Sequence, residues 1–381
     1  MTSGQVSQFD RQTLMLTISL VGLGIVMLYS SSTDIAYELT GDHMYYLKRQ
    51  LFRLLLGVIL FTVCTFFDYR KLKDLANALL LGSIILLVLA LVIHKATGTT
   101  GVARWLYLGS VSIQPSDLAR FALVIYLAAY LDRKAKLMAD FTKGLLPALL
   151  IIGVVMGLIV LAPDYSTAAL TGFLGIGLLF MGGARLKHLL LLGLVTLPLA
   201  LIVLMAAPYR RMRIMTYLGL SESSAADYQI SQSLISLGNG GFLGQGLGNS
   251  VEKKLFLPAP HTDFVFAIIG EEFGFIGALL LIGAFFFLFQ RGIAIARNAP
   301  DRFGIFLGLG LSLNLITYVL VNTAVVTEMI PNTGVPLPLI SYGGTHLVFT
   351  LAAIGIILNI SSHNNSRFIQ PANSYRRRRV R

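Results

Sequence analysis

Charge is scarce in this sequence. Only 13% of its 381 residues are Asp, Glu, Lys or Arg, while 55% are hydrophobic, a balance far outside that of soluble domains. Cysteine is almost absent as well. The lone Cys64 falls inside an apolar run, so neither an internal disulfide nor a cysteine metal cluster is available, and Cys64 reads as packing. His261 has no Cys or His at ligand spacing, which leaves a zinc site unsupported. The opening "MTSGQVSQFDRQ" is polar and is followed by no small-residue cleavage site, so the first apolar segment is expected to be a retained helix. No internal repeat and no second domain are indicated. Residues 1–381 read as a single transmembrane domain, with a core over about 14–362 and a basic tail over 363–381.

What the sequence has in abundance is long apolar runs. About 20 such residues match the hydrocarbon thickness of a bilayer. Ten segments of this kind lie near 13–31, 51–67, 75–95, 113–131, 145–162, 166–182, 187–206, 262–290, 303–327 and 344–360. They predict an all-α, polytopic integral membrane protein with about ten transmembrane helices. Segments 5 and 6 are joined only by "APDYS" and predict a tight helical hairpin.

The chain carries a formal charge of +12, and where the basic residues sit decides what that means. If the N-terminus is inside, 19 Lys and Arg fall on the side of the even-numbered loops and both ends, against 11 at or near the other face. Both termini are therefore expected in the cytoplasm. The tail "YRRRRVR" suits anionic lipid heads or a cytosolic partner. Nucleic acid is excluded as a partner, since no aromatics are interleaved with base-reading polar groups.

On this topology the long connections face outward, and the largest, residues 207–261, joins helices 7 and 8. Chemistry is expected there. Its glycine-rich run "SLGNGGFLGQGLGNS" lacks a Gly-Lys-Ser/Thr ending and a preceding strand, so it reads as a bent re-entrant or surface loop using glycine for positive φ. Binding of lipid-head phosphates stays open for it.

Several polar side chains stand out against the apolar background. Asp117 and Arg120 share a face at the start of the fourth segment. They form either a structural ion pair or, through Arg120, a phosphate contact. Arg210, Arg211 and Arg213 oppose the positive-inside trend, which fits anchoring to lipid phosphates or holding an anionic substrate. Asp164 follows Pro163 and reads as a helix cap. Asp263 falls at the outer start of the eighth segment, where the helix dipole favours an ionised carboxylate able to cap, ligate a cation or act as a general base. Glu271 lies about 80° and Glu272 about 180° around the helix from Asp263, so the three acids cannot form one cluster. Gly270, Gly274 and Gly277 allow close helix contacts, and a Glu bonding across a buried interface is the expected, structural role.

Taken together, "GVARWLYLG", "IQPSDLARFA", "PDYSTA", "PYRRMRI", "YQISQSLISLGNGGFLGQGLGNSVEKKLFLPAPHTDFVFAIIGEEFGFIG" and "GVPLPLISYGGTH" resemble the SEDS family (shape, elongation, division and sporulation) of bacterial cell-wall synthesis. The resemblance covers roughly residues 14–362 and is closer to the division than to the elongation members. Asp117 and Arg120 stand where the family usually has Glu and Lys, and "GVARW", "PNTGVPLP" and "GGTH" also depart from its usual forms.

The resemblance implies a peptidoglycan glycosyltransferase that polymerises lipid II at the outer face of the cytoplasmic membrane, at the division site. A class B penicillin-binding transpeptidase and other division proteins would be its partners. Asp263 takes the general base, Arg210, Arg213, Arg120 and Ser341 the pyrophosphate or lipid head, and Asp117, His261, Glu271 and Glu272 supporting roles. No metal ligands are assigned. A divalent cation such as magnesium or manganese is the one cofactor such chemistry would use. A lipid II flippase and a non-catalytic division scaffold are the competing readings, and polar groups concentrated on one side speak against the flippase.

Overall fold

The computed structural model describes residues 9–97, 105–108, 111–205, 211, 215, 225–254 and 256–364. Each of the ten apolar segments coincides with a long helix: α1 (Arg11–Thr40), α2 (Tyr45–Phe66), α3 (Lys71–Thr97), α4 (Pro115–Lys134), α5 (Leu146–Leu161), α6 (Tyr165–Met181), α7 (Leu186–Met205), α9 (Val265–Arg297), α10 (Arg302–Val326) and α11 (Gly344–Asn364). An additional helix, α8 (Ala225–Gly240), lies in the connection before α9. By length and composition seven of the described helices are able to cross a membrane: α1, α2, α3, α5 with the turn before it, α9, α10 and α11. The protein is a multi-pass membrane protein.

Burial sorts these helices into two groups. Leu and Val dominate α1, α2 and α3, whose large side chains are widely exposed on the outside of the bundle, as lipid-facing helices require. In contrast α4 buries most of its length, from Pro115 to Leu131, against α3, α6, α10 and α11. A helix with little lipid contact needs little hydropathy, and α4 accordingly carries Asp117 and Arg120 in its buried stretch. Small residues allow the tight contacts elsewhere. Gly57 of α2 sits on Leu351 of α11, and Gly355 of α11 sits on the Phe61 carbonyl of α2.

One end of the bundle brings Asp10 and Ser361 together, the Asp10 N–H donating to Ser361 Oγ at 3.1 Å, and is pinned by ion pairs. Arg291 binds Asp10 there, Arg70 binds Asp301 at 3.2 Å, and Lys73 binds Asp132 at 2.6 Å. The opposite end carries a short antiparallel pair, β1 (Leu106–Leu108) with β2 (Val111–Ile113), in the register Leu106↔Ile113. This ribbon is the one departure from an all-helical reading among the described residues.

The connection from α7 to α9 is not simply a surface loop. Its α8 runs alongside α9 toward the middle of the bundle: Ser233 Oγ donates to the Val326 carbonyl at 3.0 Å and Ser236 Oγ to the Ala267 carbonyl at 3.1 Å. The chain then turns at the glycine-rich run and climbs back to Asp263. The re-entrant reading of that run is therefore the one realised. At its tip α9 is broken at Gly274 (φ 69°, ψ −171°), roughly 13 Å along the helix from Val265. Backbone groups freed by the break are satisfied by the loop. Phe275 N–H donates to the Gly241 carbonyl at 2.8 Å, and Gln245 and Gly246 N–H donate to the Glu271 and Glu272 carbonyls at 3.0 Å each. Irregular backbone inside a membrane domain is tolerable only with this kind of internal pairing.

Candidate functional site

Four helices, α4, α6, α9 and α11, point their N-termini toward the end of the bundle opposite Asp10 and Ser361. There they surround a cavity of about 390 Å³. Three carboxylates line it. Asp117 belongs to the first turn of α4, Asp164 caps α6, and Asp263 precedes Phe264, the residue at the N-cap of α9. The positive ends of the four helix dipoles point into this cavity. Arg53 of α2, Trp105, Gln114 and Tyr342 supply further walls.

Asp263 is held by its backbone. Asn322 of α10 donates its amide to the Asp263 carbonyl at 2.7 Å and to the Val335 carbonyl at 2.8 Å, fixing the 330s loop beside the acid. Gly334 (φ 68°) faces the carboxylate: a Cβ there would lie 3.5 Å from Asp263 Oδ2. A Cβ there would make only ordinary contact with the acid, but the positive φ would strain any residue that carries one.

Asp117 is deeply buried. Arg120 donates to its Oδ1 at 3.0 Å, Thr345 Oγ1 to its Oδ2 at 3.0 Å, and His346 Nδ1 lies 3.9 Å from Oδ1. Arg120 itself does not line the cavity. Its guanidinium is 4.1 Å from the Tyr318 ring centroid, so it stands behind Asp117 as partner and packing surface. Of the two readings open for Arg120, the ion pair is the one this geometry realises.

Asp164 does more than cap. Its Oδ1 accepts the Thr167 N–H at 3.4 Å, and its Oδ2 accepts Gln114 Nε2 at 3.2 Å on the cavity wall. Ser341 is buried and its hydroxyl accepts the Leu337 N–H at 2.9 Å, holding a turn next to the cavity rather than facing into it. His261 packs its ring 4.2 Å from Tyr46 and 5.5 Å from Tyr342, and its carbonyl accepts the Tyr342 N–H at 2.8 Å. Burial pushes its imidazole down to about 4, so it is neutral at ordinary pH.

Glu271 and Glu272 lie away from the cavity and diverge as helical geometry requires. Glu271 accepts Ser236 Oγ at 2.9 Å and Val251 N–H at 2.9 Å; Glu272 accepts Ser30 Oγ of α1 at 2.7 Å and Lys253 Nζ at 2.8 Å. Both carboxylates hold the returning arm of the re-entrant loop. Arg210 and Arg213 lie outside the described residues, as does the basic tail from 365 onward.

Sequence reasoning passed over Arg53, Gln114, Tyr318, Tyr342 and His346. Arg53 had a readable signal, since it is a cation inside an apolar helix near the less basic end of the bundle. In the structure it stacks on Tyr342 at 4.6 Å and donates to Ser112 Oγ at 3.4 Å, while its Nη1 is buried without a partner. Among the described residues no group of three or more His, Cys, Asp or Glu is placed to hold a metal ion.

Residues 11–366 match the family model described as "Cell cycle protein", which covers FtsW, RodA and SpoVE. The chain is 38% identical over 359 residues to the probable peptidoglycan glycosyltransferase FtsW of Geobacter sulfurreducens, covering 94% of this chain and 96% of that one. It is 37% identical over 356 residues to stage V sporulation protein E of Bacillus subtilis, covering 93% and 97%. Among solved structures it resembles a chain of a peptidoglycan synthase complex that coordinates polymerization and crosslinking (TM-score 0.75, 28% identity, 95% and 99% covered). It also resembles the rod shape determining protein RodA of Thermus thermophilus (TM-score 0.67, 28% identity, 93% and 97% covered).

Proposed function

The chain belongs to the FtsW, RodA and SpoVE family, and from that premise we propose that it is a peptidoglycan glycosyltransferase polymerising lipid II during cell division, with Asp263 as its general base. The cavity end of the bundle faces outward across the cytoplasmic membrane, because the basic residues concentrate at the other end. No nucleotide is available on that side, so the donor brings its own activation as a lipid-linked diphosphate.

The 4-hydroxyl of one disaccharide attacks the anomeric carbon of another. As the new O–C bond forms, the bond from that carbon to the diphosphate breaks, the hydroxyl proton passes to Asp263, and the polyprenyl diphosphate leaves. A positioned carboxylate is the natural acceptor for this proton. Arg53 is the cavity-lining cation with an unused donor, and with the convergent helix N-termini it balances the charge on the leaving diphosphate. Lipid II as substrate, a class B penicillin-binding transpeptidase as partner and a place at the division site complete the reading.

The observation that carries this reading is the meeting of Asp263, Arg53 and four helix N-termini in one cavity. Purified protein with its transpeptidase partner should extend lipid II into glycan. Asp263→Asn should lower the rate at least 100-fold while leaving the melting temperature and partner binding unchanged. Full polymerisation by that variant would overturn the assignment of the base.

A further inference from the structure

At the basic end of the bundle, away from Asp263, a second cavity of about 400 Å³ opens between the turn joining α4 to α5 and the start of α7. Lys136, Asp140 and Phe141 line it from the turn, and Arg185 and His188 from the foot of α7. The turn is tightly built. Asp140 caps a π turn over Phe141–Leu145, and Tyr130 of α4 donates its hydroxyl to the Gly144 carbonyl at 2.7 Å. The Phe141 ring meets the His188 imidazole edge-on with 5.5 Å between centroids, which ties the turn to α7.

The charges lining this cavity are opposite in sign and yet unpaired. Among the described residues neither Lys136 nor Arg185 makes a hydrogen bond or an ion pair through its side chain. Asp140 Oδ1 accepts the Thr142 N–H at 2.9 Å, Thr142 Oγ1 at 3.0 Å and the Lys143 N–H at 3.1 Å, which leaves Oδ2 open. The Lys143 N–H and then the Thr142 hydroxyl hold this carboxyl below the ordinary carboxylate value, so it is charged at neutral pH. All three charged residues are exposed, so a ligand reaches them. Beyond them the surface turns apolar. Leu146 and Leu150 of α5 and Leu186, Leu190 and Leu194 of α7 are 36% to 72% exposed, in stripes of i, i+4 spacing on helices that start at this cavity.

A ligand that answers every part of this site carries a phosphate, an ammonium group two carbons away, and acyl chains. We propose that the cavity seats the head of a phosphatidylethanolamine from the adjoining leaflet, its phosphate between Lys136 and Arg185, its ammonium on Asp140 Oδ2, and its chains along α5 and α7. Basic pockets at the ends of transmembrane helices take lipid heads in this way, and the N-terminus of α7 adds its dipole on the phosphate side. A phosphatidylglycerol head brings the same phosphate but only hydroxyls to meet a carboxylate. Asp140 is therefore what sets the choice between the two lipids.

Native mass spectrometry of the full-length protein tests this, with phosphatidylethanolamine and phosphatidylglycerol of identical acyl chains and soluble glycerophosphoethanolamine as competitor. As the first lipid bound, the wild type should retain phosphatidylethanolamine about tenfold over phosphatidylglycerol, the worth of one charge-assisted hydrogen bond. Lys136→Gln and Arg185→Gln should each weaken phosphatidylethanolamine about tenfold, and both side chains lack a protein partner, so the fold persists. Lys134→Gln removes the same charge from the end of α4 outside the cavity and should change retention less than about twofold, as a screened surface charge does. Asp140→Asn keeps a side chain able to cap the π turn and should bring phosphatidylethanolamine down to the level of phosphatidylglycerol. Equal retention of the two lipids by the wild type, or an unchanged preference in Asp140→Asn, would overturn the proposal. Equal weakening by Lys134→Gln and Lys136→Gln would reduce the seat to general attraction by a basic face and overturn it too. Displacement of the lipid by glycerophosphoethanolamine at comparable concentration would make the ligand a soluble phosphoester and rule out a lipid seat.

Discussion

Lys253 and Glu272 form an ion pair of 2.8 Å in which the side chains are 7% and 0% exposed, joining the returning arm of the re-entrant loop to α9 just before its break at Gly274. Ser30 of α1 closes the group, accepting from Lys253 Nζ at 2.9 Å and donating to Glu272. A charged pair removed from water contributes through its geometry, and either member alone would be an uncompensated buried charge. Lys253→Met should therefore destabilise the protein by about 3–5 kcal/mol, whereas Lys253→Met with Glu272→Met should recover most of the loss. Thermal unfolding of the detergent-solubilised protein reads both.

Gly244 packs against the break in α9. A Cβ on it would stand 2.2 Å from the Glu272 carbonyl oxygen, and its φ is +81°. Gly244→Ala should lower the yield of folded protein and the melting temperature sharply. Gly82→Ala is the control, because nothing lies within 4 Å of a Cβ on Gly82 of α3. An alanine there should leave both unchanged or slightly raise stability, since helical glycine costs roughly 0.5–1 kcal/mol relative to alanine.

Arg53 has a buried Nη1 without a hydrogen-bond partner, and its contacts with Ser112 and Tyr342 include no carboxylate. With Arg53 beside the diphosphate, Arg53→Gln should weaken binding of lipid II and of a polyprenyl diphosphate without sugars alike, by about tenfold or more, as loss of one charge-assisted hydrogen bond implies. Equal affinity in the variant and the wild type would remove Arg53 from the diphosphate wall.

The sign of the pH dependence follows from His261. Its pKa is about 4 in the folded protein and 6.5 in its ordinary state, so the unfolded chain takes up the proton first as pH falls. The contribution of His261 to stability is full above pH 6.5, declines as pH descends toward 4, and is level below that. The loss amounts to up to roughly 3 kcal/mol. Melting temperatures between pH 4 and 7.5 should show this slope in the wild type and lose part of it in His261→Gln; identical slopes would mean that another group carries it. Asp10 and Asp301, held low by Arg291, Thr13, Tyr69, Arg70 and Gly304, lose their contributions only at more acid pH.

Much was legible in the sequence because it depends on neighbours along the chain. Runs of apolar residues locate each long helix, since in a bilayer the backbone must pair within its own segment. The divergence of Glu271 and Glu272 from Asp263 follows from 100° per residue alone. The glycine-rich run announced a bend for the same reason, as glycine tolerates positive φ wherever it stands.

Partnership was another matter. Thr345 meets Asp117 across 228 positions, and Ser30 meets Glu272 across 242, separations that no local period encodes. Asp164 read as a cap because its capping contact is three residues away, while its cavity-facing bond to Gln114 spans 50. For Arg120 the sequence left an ion pair and a phosphate contact both open, and Ser341 entered only through the family resemblance, because sequence gives the depth and chemistry of a side chain but not its direction. Whether a charge lines the cavity or stands behind it is set by how α4, α10 and α11 pack. So the sequence by itself determined a polytopic helical bundle with its polar chemistry at one end. Only the tertiary structure decided which of those polar groups share a cavity, because that depends on side-chain direction and long-range packing rather than on hydropathy.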